Sequence, residues 1–177
     1  LAVFVAPRRA SPRLFRGIRD SKKLTAKARE EWFRRFKAEP RVFYHSTSVG
    51  PQTIDRLGIA VAIRRGVRRM LSRAAEKHAG LREGSRETIQ LDGSLSAPES
   101  YRQETIIKGD ERVPVIAAAS IIAKVRRDRY MIRLARKFPA YGFDIHKGYG
   151  TKMHRERIRE HGLSEVHRRS FCAKYAP

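Results

Sequence analysis

The apolar residues of this chain change period several times, and each change marks an element. "LAVFVA" (1–6) is an unbroken apolar run closed by Pro7, the pattern of a buried strand. Residues 8–19 are polar and basic, include Pro12 and Gly17, and read as a loop. Over "DSKKLTAKAREEWFRRFKAE" the period becomes helical, with Leu24, Ala28, Trp32 and Phe36 four residues apart. Asp20 or Ser21 is placed to cap that helix, and Pro40 ends it. "RVFYHSTSV" (41–49) predicts a second strand, stopped by Gly50 and Pro51. Ile54, Leu57, Val61, Val67 and Leu71 then predict the core face of a longer helix, from Thr53 to about His78.

The second half alternates in the same way. Residues 80–87 are a glycine-rich, charged connection. "TIQLDG" (88–93) and "QETIIKGD" (103–110) predict two short strands, each running out at an aspartate beside a glycine, with a loop at 94–102 between them. Pro114 opens a long helix to about Lys137, stopped by Phe138 and Pro139. The glycine- and aromatic-rich "YGFDIHKGYGTKMH" (141–154), a short helix "HRERIREHG" (154–162) and the tail "HRRSF" (167–171) complete the chain. No internal repeat or low-complexity segment interrupts this order. Helices and strands mixed along 177 residues predict one α/β domain around a central sheet.

Charge changes the picture more than composition does. Hydrophobic residues make up 41% of the chain, enough for a core, but 40 Lys and Arg face only 18 Asp and Glu, a formal charge of +22. An excess of that size, spread through segments that look folded, favours nucleic acid as the partner over an acidic membrane surface. No apolar run reaches the ~18 residues of a membrane span. Cys172 is the single cysteine, so no internal disulfide can form, which suits a reducing cytoplasm. The first residue is Leu1, inside an apolar run, so the true start is expected upstream.

On so basic a chain the acids stand out. If the strands at 88–93 and 103–110 lie side by side and parallel, Asp92 and Asp110 emerge at the same sheet edge, where open sheets place their sites. Two close carboxylates repel unless a proton or cation lies between them, and a hard divalent ion is the usual solution. The plain alternative is a pair of ordinary Asp-Gly and Gly-Asp turns. Asp128 occupies an apolar position in the series Ala118, Ile121, Val125, Asp128, Ile132, Ala135, with Lys124 four residues before it. A structural ion pair at the edge of the core is the favoured reading there. "HKGYGT" joins Lys147 and two glycines to Tyr149, a set suited to stacking on a sugar or base beside phosphates, or to an ordinary loop. Lys22 and Lys23 at a helix start could hold phosphate, or form a solvated cap. His146, His154, His161 and His167 match no common zinc spacing.

Taken together, "DSKKLTAKARE", "LDG", "IIKGD", "AAASIIAKVRRDR", "YGFDIHKGYGT" and "HRRSF", in that order, resemble the bacterial ribonuclease HII family, the type 2 ribonucleases H. The resemblance covers most of the chain from Gly17 to Phe171. It implies a ribonuclease H-like fold over residues 1–177, a mixed central sheet flanked by helices, with a loop-and-helix segment at 139–177. It implies a monomeric endonuclease that cuts the RNA strand of RNA–DNA hybrids and single ribonucleotides embedded in duplex DNA, by two-metal hydrolysis with Mg²⁺ or Mn²⁺. Asp92 and Asp110 fall on two of the family's four acidic residues, and Tyr149 on the tyrosine that packs against the sugar next to the ribonucleotide. The family begins with a strand carrying Asp-Glu, followed by a Gly-Arg-Gly element that reads the ribose 2′-hydroxyl. Neither precedes "LAVFVAP" here, so the 177 residues alone are expected to be nearly inactive. The rival from another class is a basic nucleic-acid-binding module without catalysis.

Overall fold

A computed structural model describes residues 1–6, 12–18 and 21–177. The chain divides into two compact units, Leu1–Ser48 with Ile63–Val125, and Val49–Ala62 with Arg126–Pro177. The C-terminal segment 139–177 lies wholly in the second.

In the first unit, β1 (Ala2–Val5) pairs antiparallel with β2 (Phe43–Ser46), Ala2 opposite Ser46 and Val5 opposite Phe43. Between them lie a single turn, α1 (Pro12–Phe15), and α2 (Ala26–Ala38). The helix α2 starts later than its hydrophobic pattern alone suggests. Thr25 is the cap, its hydroxyl accepting from the Ala28 amide at 3.1 Å. Ser21 instead turns inward and bonds Ser120 at 3.1 Å, and Asp20 lies outside the described residues. Lys22 and Lys23 therefore sit in the turn ahead of α2 rather than at its first turn. Trp32, Phe33 and Phe36 of α2 are buried against Phe4 of β1 and against Ala118, Ile121, Ile122 and Val125.

The segment Pro51–Ala75, α3, is two helical pieces joined at Gly58, whose φ of 74° and ψ of 158° no helix contains. Glycine reaches that conformation without a Cβ penalty. The sequence predicts one continuous helix here because glycine inside a helical pattern does not by itself disclose a break. Val67 and Leu71 beyond the kink join Leu91, Ala97 and Tyr101 in a second core cluster, with Leu1, Val3, Ile63 and Ile89 packed around it.

The predicted parallel pair forms. In register, β3 (Ile89–Asp92) lies beside β4 (Gln103–Ile106), Ile89 opposite Gln103 and Asp92 opposite Ile106. Among the described residues the strands make two two-stranded ladders, small pieces of the expected sheet. β1 and β3 share a core cluster but exchange no ladder hydrogen bonds. Beyond β4 the chain turns at Lys108, in left-handed conformation, into the single turn α4 (Gly109–Arg112).

The long helix α5 (Pro114–Lys137) appears where its pattern predicts it, but its buried face shifts. Ala118, Ile121, Ile122 and Val125 are buried in the first unit; Met131 and Leu134 take over in the second, beside Tyr141 and Phe143. Ile132, expected in the core series, is 41% exposed, and Asp128 is only half-buried. One helix serving two cores need not keep one face. The second unit continues with α6 (Phe143–His146), α7 (Lys152–His161) and α8 (Arg169–Cys172). Thr151 caps α7 two residues earlier than expected, accepting from the His154 amide at 3.3 Å. Asp55, on the first piece of α3, accepts from the Arg169 and Ser170 amides at 2.8 and 3.0 Å and anchors α8.

Candidate functional site

Asp92 is the last residue of β3, as expected. Asp110 is not at a strand end: β4 stops at Ile106, and Asp110 is the second residue of α4. The two are nevertheless brought together through one peptide. Asp92 Oδ1 accepts from the Gly109 amide at 2.8 Å, the residue immediately before Asp110. The space beside that peptide is tight, chiefly on the Ile116 side. A Cβ at Gly109 would lie 2.6 Å from Ile116 Cδ1 and 3.4 Å from Asp92 Oδ1.

Asp110 is 5% exposed, and its neutralising partner is Lys22, whose ammonium lies 3.3 Å from Oδ2. The Lys22 side chain itself is 78% exposed. Lys23 pairs in the same way with Glu111 at 3.2 Å. Each aspartate thus keeps one oxygen without a protein donor among the described residues. Two hard carboxylate oxygens beside one lysine cation suit a hard divalent ion. They do not make a full cage: among the described residues no three His, Cys, Asp or Glu side chains converge on one point. Lys124 on α5 is half-buried.

In the second unit, Tyr149 projects from the turn between α6 and α7 and is 62% exposed. Its backbone is tightly held. The Tyr149 amide donates to His146 O at 2.9 Å, and its carbonyl accepts from Thr151 N at 2.8 Å and from His154 Nδ1 at 2.9 Å. Before it, Lys147 and Gly148 are both left-handed, at φ 51° and 80°. Lys147 Nζ donates to the Asp144 carbonyl. Under Gly148 lies the Arg127 guanidinium, 3.0 Å from where a Cβ would stand. Burial holds that guanidinium below its usual range, and Arg168 acts in the same direction.

The four histidines divide. His161 ends α7 with its ring against Tyr141 and lies 3.5 Å from Glu160. His146, His154 and His167 are buried; His154 bonds His167, while His146 stacks on His154 and bonds the backbone. Burial first, and His154 second, push the His167 imidazole down to about 4. His154 is lowered as well, chiefly by burial. Sequence reasoning noted these residues by type. It missed the glycine seat, the Ser21–Ser120 bond and the pairing of Lys22 with Asp110, since nothing in the spacing of residues 88 positions apart signals contact.

Comparison with known proteins supplies the remaining observations. The sequence model of the family "Ribonuclease HII" matches residues 1–174. The Ralstonia nicotianae ribonuclease HII is 38% identical over 171 residues, 97% of this chain and 68% of that protein. The Burkholderia thailandensis ribonuclease HII is 42% identical over 156 residues, 88% of this chain and 69% of that protein. Among solved structures, the ribonuclease HII of Archaeoglobus fulgidus, seen in a complex with PCNA, superposes with a TM-score of 0.68 at 28% identity, covering 95% of this chain and 83% of that one. The Pyrococcus horikoshii ribonuclease H2 shares the fold with a TM-score of 0.60 at 23% identity, over 98% and 95%.

Proposed function

The chain belongs to the ribonuclease HII family, and from that premise we propose that Asp92 and Asp110 are its metal-holding carboxylates and Tyr149 its sugar-contacting ring. The activity is endonucleolytic hydrolysis of the RNA strand of RNA–DNA hybrids, and the family depends on a divalent metal. For this chain the reading extends to single ribonucleotides embedded in duplex DNA, to Mg²⁺ or Mn²⁺ as the ion, and to action as a cytoplasmic monomer. Among the described residues, no helix is long and apolar enough to cross a membrane.

The observation that carries the reading is the peptide between the carboxylates: Asp92 Oδ1 bonded to the Gly109 amide, and the buried Asp110 next to it neutralised by an exposed lysine. A buried carboxylate requires a counter-charge, and Lys22, with its side chain 78% exposed, supplies one that a metal ion could replace. When bound, a divalent ion supplies Lewis-acid stabilisation of the charge developing on the scissile phosphate and lowers the pKa of water. Asp92 and Asp110 would hold it, the first already fixed by the Gly109 amide. Lys22, Lys23, Lys124 and Lys147 would each supply a cation for phosphate. Tyr149 lays its ring against the sugar, and Asp128 serves as a structural acid on α5 rather than as a ligand.

The test is Mn²⁺ titration followed by electron paramagnetic resonance, with cleavage of a hybrid duplex in parallel. Asp110→Asn and Asp92→Asn should each weaken Mn²⁺ binding by more than ~10-fold, and cleavage with it. Hybrid binding at constant salt should hold, since losing an acid does not weaken attraction to phosphate. Unchanged Mn²⁺ affinity in both variants would leave a binding module without catalysis as the better reading.

A further inference from the structure

The interior histidines of the second unit have no part in holding metal or phosphate, yet their geometry is restrictive. His146, His154 and His167 are 5, 5 and 6% exposed. The rings of His146 and His154 stack with centroids 4.1 Å apart, 16° from parallel. The hydrogen bonds determine where the protons sit, because a backbone amide only donates and a carbonyl only accepts. Gly148 N donates to His146 Nδ1 at 3.1 Å, so Nε2 bears the hydrogen and donates to Tyr141 O at 2.7 Å. Ser164 N donates to His167 Nδ1 at 3.0 Å, so His167 Nε2 bears the hydrogen and donates to His154 Nε2 at 3.1 Å. His154 then carries its hydrogen on Nδ1 and donates to Tyr149 O at 2.9 Å.

Every ring nitrogen without a hydrogen in this arrangement already faces a donor. An added proton on His154 Nε2 would meet His167 Nε2–H. One on His167 Nδ1 would meet Ser164 N–H at 3.0 Å, with the Ser164 hydroxyl also 2.8 Å away. The titratable groups acting on His167 are His154 and His146, and the one acting on His154 is His146. The other rings packed against them are Tyr141 and Phe143, and no carboxylate acts on either among the described residues. Burial thus disfavours the charged forms of His154 and His167, and the bonds give each ring one tautomer. The end point of the cluster is the Tyr149 carbonyl, just after Lys147 and Gly148, both left-handed. A lysine in that conformation costs on the order of 1 kcal/mol and persists only where its surroundings hold it.

We propose that His167 and His154 are positioning residues, a directional relay from the Ser164 amide through both imidazoles to the Tyr149 carbonyl that sets how the exposed Tyr149 ring is presented to a ribonucleotide sugar. The purpose assigned to the relay rests on the reading of Tyr149 given above. The relay itself rests only on the bonds just described.

Two measurements on the whole chain test it. In the first, ¹⁵N-histidine NMR at pH 7 should find His154 as the Nδ1–H tautomer and His167 as the Nε2–H tautomer, both neutral. His154 bearing its hydrogen on Nε2, or charged at pH 7, overturns the relay. The second is the ratio of affinities for a duplex with one embedded ribonucleotide and for the all-DNA duplex. Tyr149→Ala should lower that ratio about tenfold, within the range known for ring stacking. His154→Phe should lower it as far, and the double variant no further, because both act on one contact. His154→Asn, which keeps an N–H donor at the Nδ1 position, should recover most of it. In the parent chain the ratio should hold from pH 7 to 5 and fall only as pH approaches about 4, where His167 protonates, whereas in Tyr149→Ala it should stay flat. Additive losses, or no recovery with Asn, would show that His154 merely supports the fold. If Tyr149→Ala leaves the ratio unchanged, the sugar reading fails, and the NMR tautomers decide the relay alone.

Discussion

At the scale of single residues, the most constrained position is Gly109. It is not a turn glycine; its φ is not positive, and what it provides is room. Gly109→Ala would drive a methyl to 2.6 Å from Ile116 Cδ1 and crowd the Asp92 carboxylate. The Ile116 terminus can shift, so the cost is that of overpacking, about 1–3 kcal/mol. Adding Ile116→Val removes Cδ1 and should restore most of that stability in urea unfolding. It should not restore full Mn²⁺ affinity, since the new methyl still presses on Asp92. Recovery of neither would mean that the alanine acts elsewhere.

Among the elements, α2 separates local from tertiary contributions. Thr25→Ala removes one cap bond and should cost about 1 kcal/mol. Phe36→Ala empties a site that is 1% exposed and edge-on to Phe4, 4.9 Å between ring centroids, and should cost about 3–5 kcal/mol. Packing therefore outweighs capping, and the two denaturation midpoints should rank in that order. Equal losses would mean that the core around Phe36 closes up after truncation. The same logic explains α5. Its period was legible, but the face that is buried changes along its length, so in the series that Ala118 began Asp128 is only half-buried and Ile132 is exposed.

At the scale of the whole molecule, a charge of +22 dominates association and opposes compaction. If 6–10 phosphates are contacted, hybrid affinity should fall roughly 10³–10⁵-fold between 50 and 200 mM salt. A flat response would remove the electrostatic basis for nucleic-acid binding. The histidine cluster adds a pH dependence of definite sign. His167 is neutral when folded down to about 4 but protonates at its ordinary value near 6.5 when unfolded. The unfolded chain thus binds more protons, and stability is complete above pH 6.5 and lost as pH falls toward 4. The urea midpoint should drop across that window, and His167→Phe should make the drop shallower by on the order of 2 kcal/mol. An unchanged pH dependence in that variant would place the acid sensitivity elsewhere.

By itself, the sequence determined the elements whose signals are local: the apolar runs of β1 and β3, the four-residue period of α2, and the proline that opens α5. It also determined the basic character of the chain, the order of the motifs that place it in its family, and the choice of Asp92 and Asp110 as candidate carboxylates. Only the tertiary structure decided which side chains meet. Thr25 rather than Asp20 or Ser21 caps α2 because Ser21 is drawn inward to Ser120, 99 residues away. Gly58 breaks α3, and among the described residues the strands pair as two two-stranded ladders. Asp110 left the strand end for a helical turn, yet reached Asp92 through the Gly109 amide and took Lys22 as its counter-ion. The histidines, unremarkable by spacing, became a line of donors and acceptors only when folding buried them together. The division follows from range. Periodicity and capping act between residues a few positions apart, where a sequence can be read directly. The meeting of partners 13 to 99 positions apart depends on how whole faces pack, and no local pattern encodes it.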